Sequence, residues 1–529
     1  MLLAVALPSN RLRQALDRLS AGARRHLARP APPASLPPAP RTRPVTQPNL
    51  ARWVQPGADL PAFVTECPVA QRYLALLGSL DWAHFPERPT HRLWPGKVPA
   101  PRAPYVAAYL VKLNEGFSSM GKLRAYLVEH PALVWLLGFP LRLDPAAPHG
   151  FDVRRSLPSR RQFGRVLREL DNAAAQFLLT GSVHLIRQEL PADYNFGDVI
   201  SLDTKHIIAW VQENNPKAYV AERYDKTHQP KGDPDCKLGC KKRHNKGEGD
   251  GGEPAAPAAT PSTQPIPASQ ATVGEFYWGY ASGVVTTKVP EWGEIVLAEL
   301  TQTFDQGDAT YFFPLMEQVE RRLGHKPRYG ALDKAYDAFY VYEYFHEAGG
   351  FAAVPLVLKG RADVRSFSPE GLPLCAAGLA MPLKLTFTDR TTTLVTHQRG
   401  KYVCPLVFPA QAVDAQCPIH HEQWPKGGCT AMMPTCAGAR LRYQLDRESP
   451  EYKAIYQQRT ADERSNSQAK ELGIERPRLR RQSAIVNQNT LIYVLINLRA
   501  LQRMQARKAE LAGQAAMPAS QEVPITPAT

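Results

Sequence analysis

The stretch that decides the fold opens Ser449-Pro450-Glu451. It continues through Tyr456-Gln457-Gln458-Arg459-Thr460-Ala461-Asp462-Glu463 and closes on Ala469-Lys470. A capping Ser, Pro at the first helical position and an acid in the first turn start a helix, predicted over 450–472. On a straight helix Tyr456, Arg459, Glu463 and Lys470 fall within an arc of roughly 60°, at 100° per residue. One stripe then presents an aromatic ring, a guanidinium, a carboxylate and an ammonium together. Solvated helices also carry mixed charge, so the stripe takes its meaning from acids elsewhere.

Two such acids end apolar runs. Asp203 stands in Ser201-Leu202-Asp203-Thr204-Lys205, and Asp333 in Ala331-Leu332-Asp333-Lys334-Ala335. The segments around them predict strands at 199–202, 207–210, 277–285 and 295–302, then a helix at 311–323. A strand ends at 332–333, a helix spans 336–346 and a strand 351–358. Consecutive strands followed by alternating helices and strands describe a mixed α/β sheet. Sites in such sheets lie at strand ends, where a lone Asp otherwise serves as a cap or turn. Asp203, Asp333 and Glu463 converging would form a hard-oxygen pocket for Mg²⁺ or Mn²⁺. Asp198, at the start of its strand, Asp337, and Asp462, about 100° from Glu463 around the helix, are not chosen.

The motif Tyr456-x2-Arg459-x3-Glu463-x6-Lys470, with Asp203 and Asp333 before it in order, resembles the signature of DDE transposases of bacterial insertion sequences (the YREK-signature group). The likeness covers about 95–505. The segments 109–115, 121–140 and 159–170 resemble the helical N-terminal domain of that group. Tyr277-Trp278-Gly279-Tyr280 resembles one of its catalytic-domain strands. The resemblance implies an RNase H-like mixed sheet flanked by helices with a β-rich insertion, preceded by an all-helical DNA-binding domain. It also implies two Mg²⁺ (or Mn²⁺) ions held by Asp203, Asp333 and Glu463. Arg459 and Lys470 would contact the DNA end, and Tyr456 would contact DNA or pack beside it. The expected reaction is metal-dependent phosphodiester cleavage at element ends and strand transfer into target DNA. The expected partners are double-stranded DNA, as terminal inverted repeats and target, and a second copy of the chain on paired ends. The expected location is the bacterial cytoplasm.

The remaining chain fits this organisation. Its 529 residues carry 64 Lys and Arg against 49 Asp and Glu, a net charge of +15, which suits a polyanionic partner. No run of 18 apolar residues spans a membrane, and eight Cys do not make a disulfide scaffold. Residues 1–50 read as a basic, Pro/Ala-rich unstructured extension, with an Arg-rich start that also resembles a transit peptide. Residues 51–190 read as a helical DNA-binding domain and 191–512 as the catalytic domain. The latter holds a low-complexity loop at 245–270 and a β-rich insertion at 360–448, and 513–529 reads as an unstructured tail. In the helical domain Ser119 and Ser159 cap helices. The second helix carries Phe163, Val166, Leu167, Leu170 and Phe177 on one face and Arg160, Arg161 and Arg165 on the other. That basic face is either a phosphate-binding surface or merely solvated.

In the insertion Cys404, Cys417, His421 and Cys429 would hold one structural Zn²⁺, with His420 and Cys436 as alternates and packed free thiols as the competing reading. Cys236, Cys240 and His244 form a weaker second set. Two other functions stay open: a catalytically inactive, transposase-derived DNA-binding protein, and a zinc-dependent nuclease built on the cysteine cluster.

Overall fold

The computed structural model describes residues 60–88, 100–242, 274–358, 365–390, 394–409 and 416–516. The predicted extension 1–50 and loop 245–270 lie outside these residues. Strand β1 (Val199–Ile208) sits at the centre of a six-stranded mixed sheet. On one side it pairs in parallel with β5 (Tyr329–Leu332), which pairs in parallel with β6 (Phe351–Ala353). On the other side it meets the long antiparallel β3 (Gly274–Val289). The far edge of β3 is shared end to end by β2 (Lys237–Lys242) and β4 (Gly293–Thr303).

Apolar residues at both odd and even positions along β3 explain why both faces are covered. Trp278, Tyr280 and Val284 join the core formed with the helices Thr460–Glu471 and Gln482–Ala516. Tyr277, Ala281 and Val285 join a second core with the helices Phe312–Leu323 and Phe339–Glu347. The first core continues into the N-terminal helices, which include Ala103–Asn114, Met120–Glu129, Arg160–Glu169 and Asn172–Glu189. Ser119, Ser159 and Asp171 cap the last three of these, accepting from Lys122, Gln162 and Ala173 backbone N–H. The insertion forms a separate three-stranded antiparallel sheet, β7 (Leu383–Asp389), β8 (His397–Val403) and β9 (Thr430–Pro434), followed by the helix Ala437–Gln444.

Several boundaries differ from expectation. The strands predicted at 199–202 and 207–210 are one, β1, which runs through Asp203. The helix predicted over 450–472 is two, Pro450–Tyr456 and Thr460–Glu471, joined by a tight turn at Gln457–Arg459. The first half packs on β5 and β6 and the second on β1, β3 and β4, so the tighter turn falls where the sheet partner changes. The helix from Ser159 through Phe177 is likewise two, because Asp171 caps a new one. The strand at 351–358 stops at Ala353, after which Val354 O and Val357 N turn to Arg447 and Asp337. The last helix starts at Gln482 and reaches Ala516, beyond the predicted end of the domain. Among the described residues no helix is long and apolar enough to cross a membrane.

Candidate active site

The register of β1 against β5 builds the site. Leu202 lies opposite Leu332, so Asp203 and Asp333 follow side by side on neighbouring parallel strands. Asp203 stays within β1, its Oδ2 accepting from Asn466 Nδ2 at 2.9 Å. Asp333 leaves β5 as the cap of the turn Lys334–Tyr336, accepting from Ala335 N–H at 2.8 Å. Burial, followed by the Asp333 and Asp308 charges, pushes the Asp203 carboxyl up to about 6 against the Thr204 backbone bond. The Asp333 carboxyl is also raised, first by burial and then by Asp308.

Asp308 is an acid the sequence reading passed over. It lies in a turn after β4, where no apolar run marks it, and its Oδ1 accepts from Thr204 Oγ1 at 2.8 Å.

The third predicted acid, Glu463, is exposed on the helix Thr460–Glu471. Its Oε1 accepts from Arg459 Nη2 at 2.6 Å. Arg459 is what the three acids share, because its charge also lowers the Asp203 and Asp333 carboxyls against their burial. Its guanidinium lies 6.0 Å from the Tyr456 ring centroid. Lys470 stands apart, exposed, with Nζ 3.6 Å from Glu475. Glu475 also binds Lys205, on β1, at 2.6 Å.

The acids not chosen have other partners. Asp198 pairs with Arg328, and Asp337 is buried against Arg442. Asp462 points away from Glu463, fully buried, with Thr286 Oγ1 2.5 Å from its Oδ1. Burial and the Asp203 charge raise its carboxyl well above the usual range, which suits a neutral acid more than a ligand.

Arg160, Arg161 and Arg165 line an open cleft of about 600 Å³, into which both Ser-capped helix starts, at Ser119 and Ser159, also face. A second cleft of about 970 Å³ shares Gly121, Ser159 and Arg160 with it, and adds Arg124, Arg142, Arg154 and Arg155. The paired Arg154-Arg155 beside the Asp152 cap was the available sequence signal for this extension. Backbone N–H groups at helix starts and guanidinium groups together favour phosphate oxygens.

The predicted zinc ligands are distributed differently. Cys404 and Cys417 are buried, while Cys429 is half-buried beside Cys404 and Cys375. The His421 Nδ1 accepts from Gln423 N–H at 3.1 Å. Cys236 is buried and its thiol donates to Asp233 O, while His244 lies outside the described residues. Among the described residues, the group of three His, Cys, Asp or Glu donors lying within 4.8 Å of one another is Glu222, Asp225 and His228, on a mostly exposed loop.

Asp203 and Asp333 stand side by side on neighbouring strands, but among the described residues Asp203, Asp333 and Glu463 do not bring three carboxylate oxygens within 4.8 Å of one another. Comparison with protein-family models, curated proteins and solved structures gives no match to the chain.

Proposed function

We propose that this chain is a DNA transposase that cleaves phosphodiesters at element ends and transfers the freed 3′-hydroxyl into target DNA. The observation that carries the reading is the side-by-side placement of Asp203 and Asp333 under Arg459, which also holds Glu463. An RNase H-like catalytic domain fits the mixed sheet, with one Asp on its first strand, another after β5, and the Glu on a helix beyond the insertion.

The donor set fits Mg²⁺ or Mn²⁺. Like-charged carboxylates crowded on a partly buried strand end carry a repulsion that a divalent ion relieves. Ions held by Asp203, Asp333 and Glu463 would activate the attacking oxygen and stabilise the leaving oxygen of an in-line displacement. The chain's own groups position the substrate. Asn466 fixes the Asp203 carboxylate, and the Ala335 N–H fixes that of Asp333. Arg459 changes partner from Glu463 to a phosphate oxygen, releasing the carboxylate for its ion. Lys470 and Lys205 flank the path of the strand, and the Arg-lined clefts hold the duplex through its backbone.

The test is excision of a marked element carrying the gene's natural flanks from a plasmid in the presence of Mg²⁺, with wild type beside E463Q. Excision by wild type alone is expected. Excision by both removes Glu463 from the site. Excision by neither, with no binding of wild type to the flanking ends, overturns the reading.

A further inference from the structure

The insertion has a very small core. Its buried apolar cluster is Met381, Tyr402, Met433 and Ala439, with Val403, Cys404 and Cys417 buried outside it, and six of the seven residues of β7 are exposed. A three-stranded sheet with so little apolar burial does not hold a fixed shape unaided; domains of this kind are stapled by a metal or a disulfide. The staple material is present. Cys375 opens a turn closed by Gly378 N–H to its carbonyl at 2.9 Å, and Cys404 opens another, accepting from Val407 and Phe408 N–H at 3.1 Å.

Cys429 follows Gly427 and Gly428, both with positive φ. A Cβ on Gly428 would lie 2.7 Å from Cys404 Cβ, so glycine is what lets this backbone pass against Cys404. The Cys429 thiol is in hydrogen-bonding reach of those of Cys404 and Cys375. Cys417 is the one buried residue in 416–427, a loop otherwise exposed or half-exposed.

We propose that Cys375, Cys404 and Cys429, with Cys417 in the fourth position, bind one structural Zn²⁺ that staples the insertion. Cys375 takes the place that sequence spacing gave to His421. Four thiolates supply the soft tetrahedral set that zinc favours in closed sites. Among the described residues no three Cys sulfurs lie mutually within 4.8 Å, and Zn–S bonds of about 2.3 Å would draw them to about 3.8 Å of one another. Binding releases the thiol protons, so affinity rises with pH. The site is independent of the transposase reading.

The experiment measures zinc by elemental analysis in the full chain, purified without chelator. About one zinc per chain is expected, falling roughly tenfold in each of C375S, C404S, C417S and C429S, and unchanged in C436S, whose thiol is engaged with Glu343. Co²⁺ added to metal-stripped wild type should give the intense visible bands and sulfur charge-transfer absorption of a tetrahedral thiolate site, a readout independent of how the variants fold. Wild type with little zinc and freely titrating thiols, or with a disulfide among these cysteines, overturns the proposal. Full zinc in C375S removes Cys375, and full zinc in C417S removes Cys417. None of these outcomes depends on DNA cleavage.

Discussion

At the scale of the residue, the site is a contest between burial and charge. Asp203 titrates near 6 in the fold against 3.8 ordinarily, so the folded chain binds that proton more tightly than the unfolded chain. Stability attached to this group is therefore complete below about pH 4 and lost as pH rises through about 6. In chelator, D203N should stabilise the protein by about 1–3 kcal/mol at pH 8 and by nothing at pH 4. Urea denaturation at the two pH values measures this, and an equal gain at both would show that the carboxylate is not strained. Mg²⁺ should stabilise wild type and leave D203N unmoved. Lys470, exposed, should act through phosphate alone. K470A is expected to weaken end binding and reduce the log–log salt slope by roughly 0.9, measured by fluorescence anisotropy across ionic strength. An unchanged slope would place Lys470 off the DNA. Asp203 and Asp333 were legible because each follows an apolar run, although β1 continues past Asp203 to Ile208. Asp308 was not, since its link to them runs through Thr204 and not through any local pattern. Cys375 was hidden similarly, separated from Cys404 and Cys429 by strands whose pairing alone brings the turns together.

At the scale of the element, the composition of single segments was readable and their continuity was not. Ser119, Ser159 and Ser449 cap helices as their sequences indicate. The tighter turn at Gln457–Arg459 has no glycine or proline to announce it, and falls where the helix passes from β5 and β6 to β1, β3 and β4. Glu463 and Lys470 stay on one face of the helix Thr460–Glu471, two turns apart, while Tyr456, Arg459 and Glu463 form the contiguous group. A second inter-element tie decides how the insertion is mounted. Arg442, on the helix Ala437–Gln444, donates through Nε and Nη2 to the two oxygens of buried Asp337, and through Nη2 also to Val357 O. Asp337 lies four residues beyond Asp333, so the insertion's last helix is bolted to the site's own loop. R442A leaves a buried carboxylate without its cation and should cost roughly 3–5 kcal/mol, read as a lowered unfolding midpoint. A loss under about 1 kcal/mol would mean water reaches Asp337 freely.

At the scale of the whole molecule, the N-terminal helices and the sheet share one core through the helix Gln482–Ala516. The division at residue 190 marks a change of pattern in the chain and not a break in packing. Asn487 donates to Leu167 O and Leu170 O in the helical region. Ten residues on, buried Asn497 accepts from Val296 N–H, and donates to Val296 O and Ser182 Oγ. N497L strands the Val296 backbone groups away from water and should destabilise the protein by about 2–4 kcal/mol. Hydrogen exchange should quicken in both Asn172–Glu189 and β4. Faster exchange in β4 alone would show that the two regions open separately. The net charge of +15 is likewise a property of the whole, and on the proposed function DNA affinity is expected to fall steeply with salt. The same helix has a consequence for biogenesis. A ribosome delivers the N-terminal helices and every strand before it delivers the segment that both need as a partner. The nascent chain therefore emerges with apolar faces uncovered and two acids in place on a sheet that is not yet braced. The pocket around Asp203 and Asp333 is braced only after synthesis has passed Asn497, so on the proposed function an incomplete translation product would not cut DNA.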